Sequence, residues 1–201
     1  MMERDDHRVL ANIQALWHQH EDAPGMVYWQ PRGLALYEQL VNVAKRRLHL
    51  EGYQEVRSPQ LMRRPVWEKS GHWEHFKGGM FYVSDEHLEA ALKPVSCPAH
   101  AQLFQRSAPS YRELPMRLAE FGLVHRDEPS GSLQGLLRLR QFTQDDGHIF
   151  CHRMITCLSM GKKSFEVFIS IGLSTSEIGQ GPHVNSVIHM MMGNKDSLEI
   201  P

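Results

Sequence analysis

The stretch from Arg112 to Cys151, RELPMRLAEFGLVHRDEPSGSLQGLLRLRQFTQDDGHIFC, restricts the fold more than any other part of this chain. It reads as two long strands joined by a loop rich in Gly, Ser and Pro. In the second strand Arg138, Arg140, Phe142, Gln144, Asp146 and His148 recur at every second position. Side chains alternate across a strand, so these six are predicted to share one face. Two guanidiniums, an aromatic ring, an amide, a carboxylate and an imidazole in a row do not suit a core. They are predicted to floor a binding site. On the first strand Leu118, Glu120, Gly122, Val124 and Arg126 fall on one side. The connecting DEPSGSLQG is long for a tight hairpin and suits a loop that folds over a ligand.

With 201 residues the chain can enclose one substantial core. A net charge of -1 offers no global basic field, so any nucleic-acid contact has to come from a local patch. Three cysteines, Cys97, Cys151 and Cys157, do not make a disulfide framework, and the default is a reducing, cytoplasmic setting. No apolar run approaches the roughly 20 residues that span a bilayer, and MMERDDHRVL is too charged for a signal peptide.

Helical spacing of Val9, Leu10, Ile13, Leu16 and Trp17 predicts a helix over 5–20 capped by Asp5 or Asp6. Met26 to Gln30 suits a short strand. From Leu34 to Glu51 the positions Leu34, Tyr37, Leu40, Val41, Ala44 and Leu48 make one apolar stripe, with Gly52 as a stop and a strand over 53–58 ending at Pro59. A short helix and two short strands follow before Lys93. Arg153 to Ile171 has loose helical character. From Gly172 onward no strand or helix pattern stands out, as in a poorly ordered segment.

Pro94 to His100, PVSCPAH, carries the second chemical signal. Pro98 suits a first helical turn, which puts Cys97 at or beside the N-cap. There the helix dipole favours thiolate, the form that binds metal or attacks as a nucleophile. The plainer reading is a small buried cysteine capping a helix. Cys97 and His148 are the best metal pair, since zinc accepts thiolate and imidazole. A strand-end histidine bonded to backbone is the alternative for His148. Arginines beside a loop bearing Arg126 and Glu128 suit a polyphosphate, and Phe142 offers a flat surface for a purine. Neither GxxxxGK[ST] nor GxGxxG occurs, so a nucleotide would bind on the sheet rather than at a glycine loop. HExxH is also missing, which leaves a zinc hydrolase without a credible base.

Several segments together resemble the class II catalytic core of threonyl-tRNA synthetases: APGMVYWQPRG at 23–33, EGYQEVRSPQL at 51–61, VWEKSGHW at 66–73, LKPVSCPAH at 92–100, YRELPMRLAEFGLVHRDEPSGSL at 111–133 and RLRQFTQDDGHIFC at 138–151. The resemblance implies an α+β fold, an antiparallel six- or seven-stranded sheet flanked by helices, incomplete at its C-terminal end. It divides the chain into a synthetase core at 1–151, with motif 1 at about 33–61 and motif 2 at about 112–150, and a divergent segment at 152–201. By this resemblance motif 1 forms a homodimer, and the reactions are activation of threonine with ATP and Mg²⁺ and ligation to tRNA(Thr). Arg126 would hold the α-phosphate and the threonine carboxylate. Glu128 would contact the adenine amino group, Phe142 would stack on adenine, and Arg138 would hold the distal phosphates. Gln144 would orient the reacting carboxyl or phosphate, and Asp146 would bind the threonine hydroxyl. Cys97 and His148 match two zinc ligands, and Ile188-His189 is a faint echo of the segment that supplies the third. Val95, Ser96 and Ala99 stand where the family usually has Met-Asn and Gly, and Gln141 where bacterial members usually have Gly. No motif 3 is found in the sequence. The alternative implied is a non-catalytic paralogue that binds threonine or ATP, or dimerises with a full-length synthetase.

Overall fold

The structure is a computed structural model that describes residues 6–76 and 78–151 in full, and 167–172 and 187–191 as backbone. Helix α1 (His7–Gln14) starts where Asp6 accepts a hydrogen bond from the backbone N–H of Arg8 at 2.8 Å. It is shorter than its apolar spacing predicts. Ala15 turns left-handed with φ 52°, and the next residues leave the helix as β1 (Trp17–His18). The partner of β1 is β2 (Tyr28–Trp29), antiparallel. A two-strand pairing thus takes the apolar residues that helical periodicity alone assigned to α1.

Helix α2 (Pro31–Leu50) opens on a proline, which lacks the N–H that a first turn leaves unpaired. It is followed by Gly52 at φ +80°, a conformation that favours glycine. Gly33 meets the β1 approach so closely that a Cβ there would lie 1.9 Å from the Leu16 carbonyl oxygen. Along α2 the side chains of Val41, Ala44 and Leu48 are half-buried, whereas Leu34 and Leu40 of the same sequence stripe are exposed. Next come β3 (Gln54–Glu55), β4 (Leu61–Arg63), α3 (Arg64–Lys69), α4 (His72–His75), β5 (Tyr82–Ser84), β6 (Glu89–Leu92) and α5 (Cys97–Ser107). The last elements are β7 (Met116–His125), β8 (Gln141–Cys151), β9 (Val167–Gly172) and β10 (Val187–Met191).

The principal sheet has the order β10-β9-β8-β7-β3. Its centre is the long antiparallel pair β7–β8, in register from Met116↔Phe150 to His125↔Gln141. The pairs β3–β7 and β8–β9 are parallel, so among the described residues the sheet is mixed, with five strands, rather than wholly antiparallel. Two expectations for the C-terminal part are corrected. Residues 167–172 form a strand rather than continuing a helix, and 187–191 form another where no pattern was read. The remainder of 152–201 lies outside the described residues.

The alternation of β7 and β8 sorts the core into two layers. Leu118 and Phe150 face α5, where Phe104 stacks on Phe150 at 4.4 Å with the rings nearly parallel. Ala119, Ile149 and Cys151 face the other way, against Tyr53 and Leu48. The small sheet β4-β6-β5 encloses a further cluster of Met62, Trp67, Met80, Ala91 and Ala99. Trp67 is fully buried and donates its indole N–H to the Met62 carbonyl at 3.0 Å. Because Ala99 belongs to α5, this cluster braces the first turn of α5 beside the central sheet.

Candidate active site

The N-terminus of α5 lies over β8, and this juxtaposition makes the site. Ser96 is the N-cap, Cys97 the first helical residue and Pro98 the second. Ligand atoms of Cys97, Asp146 and His148 all lie within 4.8 Å of one another, and all three residues are buried. His148 is fully buried, and neither ring nitrogen has a hydrogen-bond partner. The predicted backbone anchorage of a strand-end histidine is therefore not what holds it. Its Nδ1 is 3.8 Å from an Asp146 oxygen, too far for a direct bond. Buried donor and acceptor atoms are normally satisfied. An orphaned imidazole nitrogen beside a thiol and a carboxylate fits a metal ion such as zinc. Burial, with His100 adding to it, pushes the His148 imidazole down to about 3. The ring is thus neutral, as a ligand must be.

Cys97 departs from its expected chemistry. The helix terminus was expected to favour thiolate. Burial instead pushes the thiol up to about 12, and the charge of Asp146 adds to the effect. Desolvation of a buried anion outweighs the helix-end dipole here. Only a nearby cation reverses this balance, so Cys97 fits a metal ligand rather than a free nucleophile. Burial also raises the carboxyl of Asp146, opposed by His100 and by hydrogen bonding to Ser96.

The row on β8 is shorter than the sequence spacing predicts. Phe142, Gln144, Asp146 and His148 lie on the strand, whereas Arg138 and Arg140 precede its first residue, Gln141. The loop after β7 folds back over these two arginines. Glu128 pairs with Arg138 at 2.7 Å, and its carbonyl accepts from Arg140 Nε at 2.8 Å. Arg140 also reaches Ser130 Oγ at 3.2 Å. Arg126 places its guanidinium 5.1 Å from the centre of the Phe142 ring and donates Nε–H to the Pro94 carbonyl at 3.2 Å. Gln144 keeps a buried carbonyl oxygen without a hydrogen-bond partner. It faces Gly122 across the strand pair.

His189 stands on the rung Cys151–Ser170–His189, three residues along from the rung that joins His148 to Val167. Sequence reasoning passed over a second buried group beside the cluster: Lys93, Ser96, His100 and Glu120. One signal was available. Cys97 and His100 are three apart on a helix, and this spacing puts both on one face.

The histidine shifts set a pH dependence for the metal-free protein. The folded-state value of His148 lies below its ordinary 6.5, so its stabilising contribution is complete above pH 6.5. It is lost as pH falls from there toward about 3. His72 and His125 are also lowered by burial and act in the same direction. Between pH 7 and 5 we expect urea unfolding to show a stability loss on the order of 2 kcal/mol. Asp146, raised by burial, acts in the opposite sense, so a flat profile over that interval in Asp146→Asn would contradict a buried neutral His148.

The family described as tRNA synthetase class II core domain (G, H, P, S and T) matches residues 81–199, a range that continues past Cys151. A threonine–tRNA ligase of Dichelobacter nodosus is 44% identical over 179 residues, covering 88% of this chain and 28% of the relative. One from Ralstonia nicotianae is 52% identical over 149 residues, covering 74% of this chain and 24% of the relative. The chain therefore spans about a quarter of the length of these curated relatives. Among solved structures, the RNA binding domain of threonyl-tRNA synthetase from Cryptosporidium parvum superposes with a TM-score of 0.71 at 41% identity, over 73% of this chain and 37% of that one. Giardia lamblia prolyl-tRNA synthetase shares the fold at TM-score 0.68 and 19% identity, over 75% of this chain and 31% of that one. The paired long strands, the helix that covers them and the matched sequence lead to one assignment: this chain belongs to the tRNA synthetase class II core domain family.

Proposed function

We propose that the chain performs ATP-dependent activation of threonine, as the catalytic core of a threonine–tRNA ligase that then esterifies tRNA(Thr). The observation that carries this reading is the continuity of one β8 face. It runs from the Phe142 ring under Arg126, through Gln144, to the buried Cys97–Asp146–His148 cluster. One end suits a nucleotide and the other a small amino acid. In the proposed reaction the threonine carboxylate attacks the α-phosphorus of Mg²⁺-bound ATP. An O–P bond forms, the bond to the β-phosphate bridging oxygen breaks, and pyrophosphate leaves. Arg126 neutralises charge on the α-phosphate while holding the carboxylate. Phe142 stacks on adenine, Glu128 accepts from its amino group and Arg138 holds the distal phosphates. Both side chains of the Glu128–Arg138 pair have then to exchange their mutual contact for ATP. Gln144 orients the reacting carboxylate or phosphate by donating from its side-chain amide NH2. Asp146 accepts from the threonine hydroxyl. Zinc held by Cys97 and His148 would supply a Lewis acid for the amino and hydroxyl groups of threonine; His189, on the rung of Cys151 at an odd offset from His148, is not counted among its ligands. Valine has no hydroxyl, so this end of the site rejects it.

The experiment is threonine-dependent ATP–pyrophosphate exchange. Exchange with threonine, and at least about 100-fold less with valine, is expected. Equal rates with both amino acids would contradict the assignment of Asp146.

Helix α2 favours an accompanying reading, self-association. Leu36, Leu40 and Val43 on its surface are 56%, 71% and 55% exposed. This apolar strip suits a homodimer through the motif 1 region. If exchange is absent but mixed dimers form with a full-length ligase, the non-catalytic paralogue is the better reading.

A further inference from the structure

Behind the Cys97–Asp146–His148 cluster lies a polar group that the proposed reaction does not use. Glu120 is 1% exposed and Lys93 is fully buried, and the two form an ion pair. The same Glu120 oxygen accepts from Ser58 Oγ at 2.9 Å and from Ser96 Oγ at 2.8 Å. Its other oxygen accepts from the Ser58 backbone N–H at 2.7 Å and lies 3.9 Å from His100 Nε2. Lys93 also donates to Ser58 Oγ at 2.8 Å. Burial alone would raise the Glu120 carboxyl. His100, Lys93 and Ser96 outweigh it and hold the group well below the usual carboxylate range.

The places these contacts reach are informative. Ser58 lies between β3 and β4, Lys93 directly follows β6, Ser96 caps α5 and His100 sits one turn into α5. One carboxylate on β7 therefore ties together the segments that converge on the start of α5. Ser96 is the neighbour of Cys97. His100 meets the His148 ring edge-on at 4.5 Å. In the β7–β8 register Glu120 is directly opposite Asp146. Glu120 thus holds Ser96, the neighbour of Cys97, by a hydrogen bond, faces Asp146 across the strand pair, and stands beside the His100 ring that packs on His148. The next residue on this face is a glycine for a steric reason. A Cβ on Gly122 would lie 2.4 Å from Glu120 Oε1 and 3.0 Å from Ser96 Oγ.

We propose that Glu120 is a positioning residue for the metal-binding cluster: fixed by Lys93 and Ser58, it sets where Cys97, Asp146 and His148 stand through its hydrogen bond to Ser96 and its packing beside His100. The proposal rests on the reading of Cys97 and His148 as zinc ligands. Groups one step behind a metal ligand orient it, and their loss characteristically weakens metal binding while leaving the ligands in place. Ser96 stands where the resemblance puts Asn, so in this chain a hydroxyl makes the contact to Glu120.

The test measures zinc affinity on the whole chain by competition with a chromophoric chelator, with thermal unfolding recorded in parallel. Glu120→Gln is expected to weaken zinc about 10–100-fold, and Ser96→Ala about 10-fold. The double variant Lys93→Met/Glu120→Gln removes both buried charges together, and its zinc affinity is expected to stay low. Wild-type affinity in folded Glu120→Gln or folded Ser96→Ala would overturn the proposal. So would full recovery in the double variant, which would mean that Glu120 only neutralises Lys93. If Glu120→Gln does not fold, Ser96→Ala decides alone. Absence of zinc from the wild type would overturn the metal reading itself, an outcome distinct from a wild-type site that these variants leave unchanged.

Discussion

Replacing Arg126 with alanine is expected to lower threonine-dependent ATP–pyrophosphate exchange by roughly 10³–10⁵-fold, the range seen when an arginine is removed from a phosphoryl-transfer site. The magnitude follows from its place. Arg126 is anchored through Nε to the Pro94 carbonyl, and its guanidinium lies over Phe142. The anchor leaves the terminal nitrogens to act as a fork for phosphate and carboxylate oxygens. Arg126→Lys should recover little, because an ammonium is a point charge without that fork. The loss should fall mainly on kcat, since the charge Arg126 meets develops in the transition state. Exchange within tenfold of wild type in Arg126→Ala would remove Arg126 from the reaction.

The second large effect concerns stability. Lys93→Ala is expected to cost about 3–5 kcal/mol, read by urea unfolding at pH 7. Lys93 has no exposed surface, and its partner Glu120 is held ionised in the same buried pocket. Truncation strands that carboxylate without its counter-charge. Ser58 and Ser96 still donate to it, but neutral donors do not replace a cation. A loss below about 1 kcal/mol would mean that water reaches Glu120 once the lysine side chain is gone.

Much of the site was legible because β-strand alternation is a strict rule. The period-two spacing on β8 correctly aligned Phe142, Gln144, Asp146 and His148, and the β7 alternation placed Leu118, Glu120, Gly122 and Val124 opposite them. The rule fails where a strand ends. Arg138 and Arg140 keep the spacing but not the strand, because the loop from Asp127 to Ser130 captures their guanidiniums. The start of α5 at Cys97 was readable from Pro98, yet the protonation of Cys97 was not. Burial depends on what lies across the helix end, and no local pattern reports it. The helix over 5–20 was cut short at Ala15 by the pairing of Trp17 with Trp29, a contact made by distant residues. For the same reason Glu120 and Lys93 went unrecognised as partners. They are 27 positions apart, and only the register of β7 beside the start of α5 joins them.

The account turns on whether Cys97 and His148 hold a metal ion beside Asp146 at the threonine end of the β8 face. Metal analysis of the purified chain and of Cys97→Ala tests this most directly. Stoichiometric zinc in the wild type, lost in Cys97→Ala while the fold is retained, is the predicted result. A folded wild-type chain that takes up no zinc when supplied with it, or a Cys97→Ala variant that keeps its full zinc content, would contradict it.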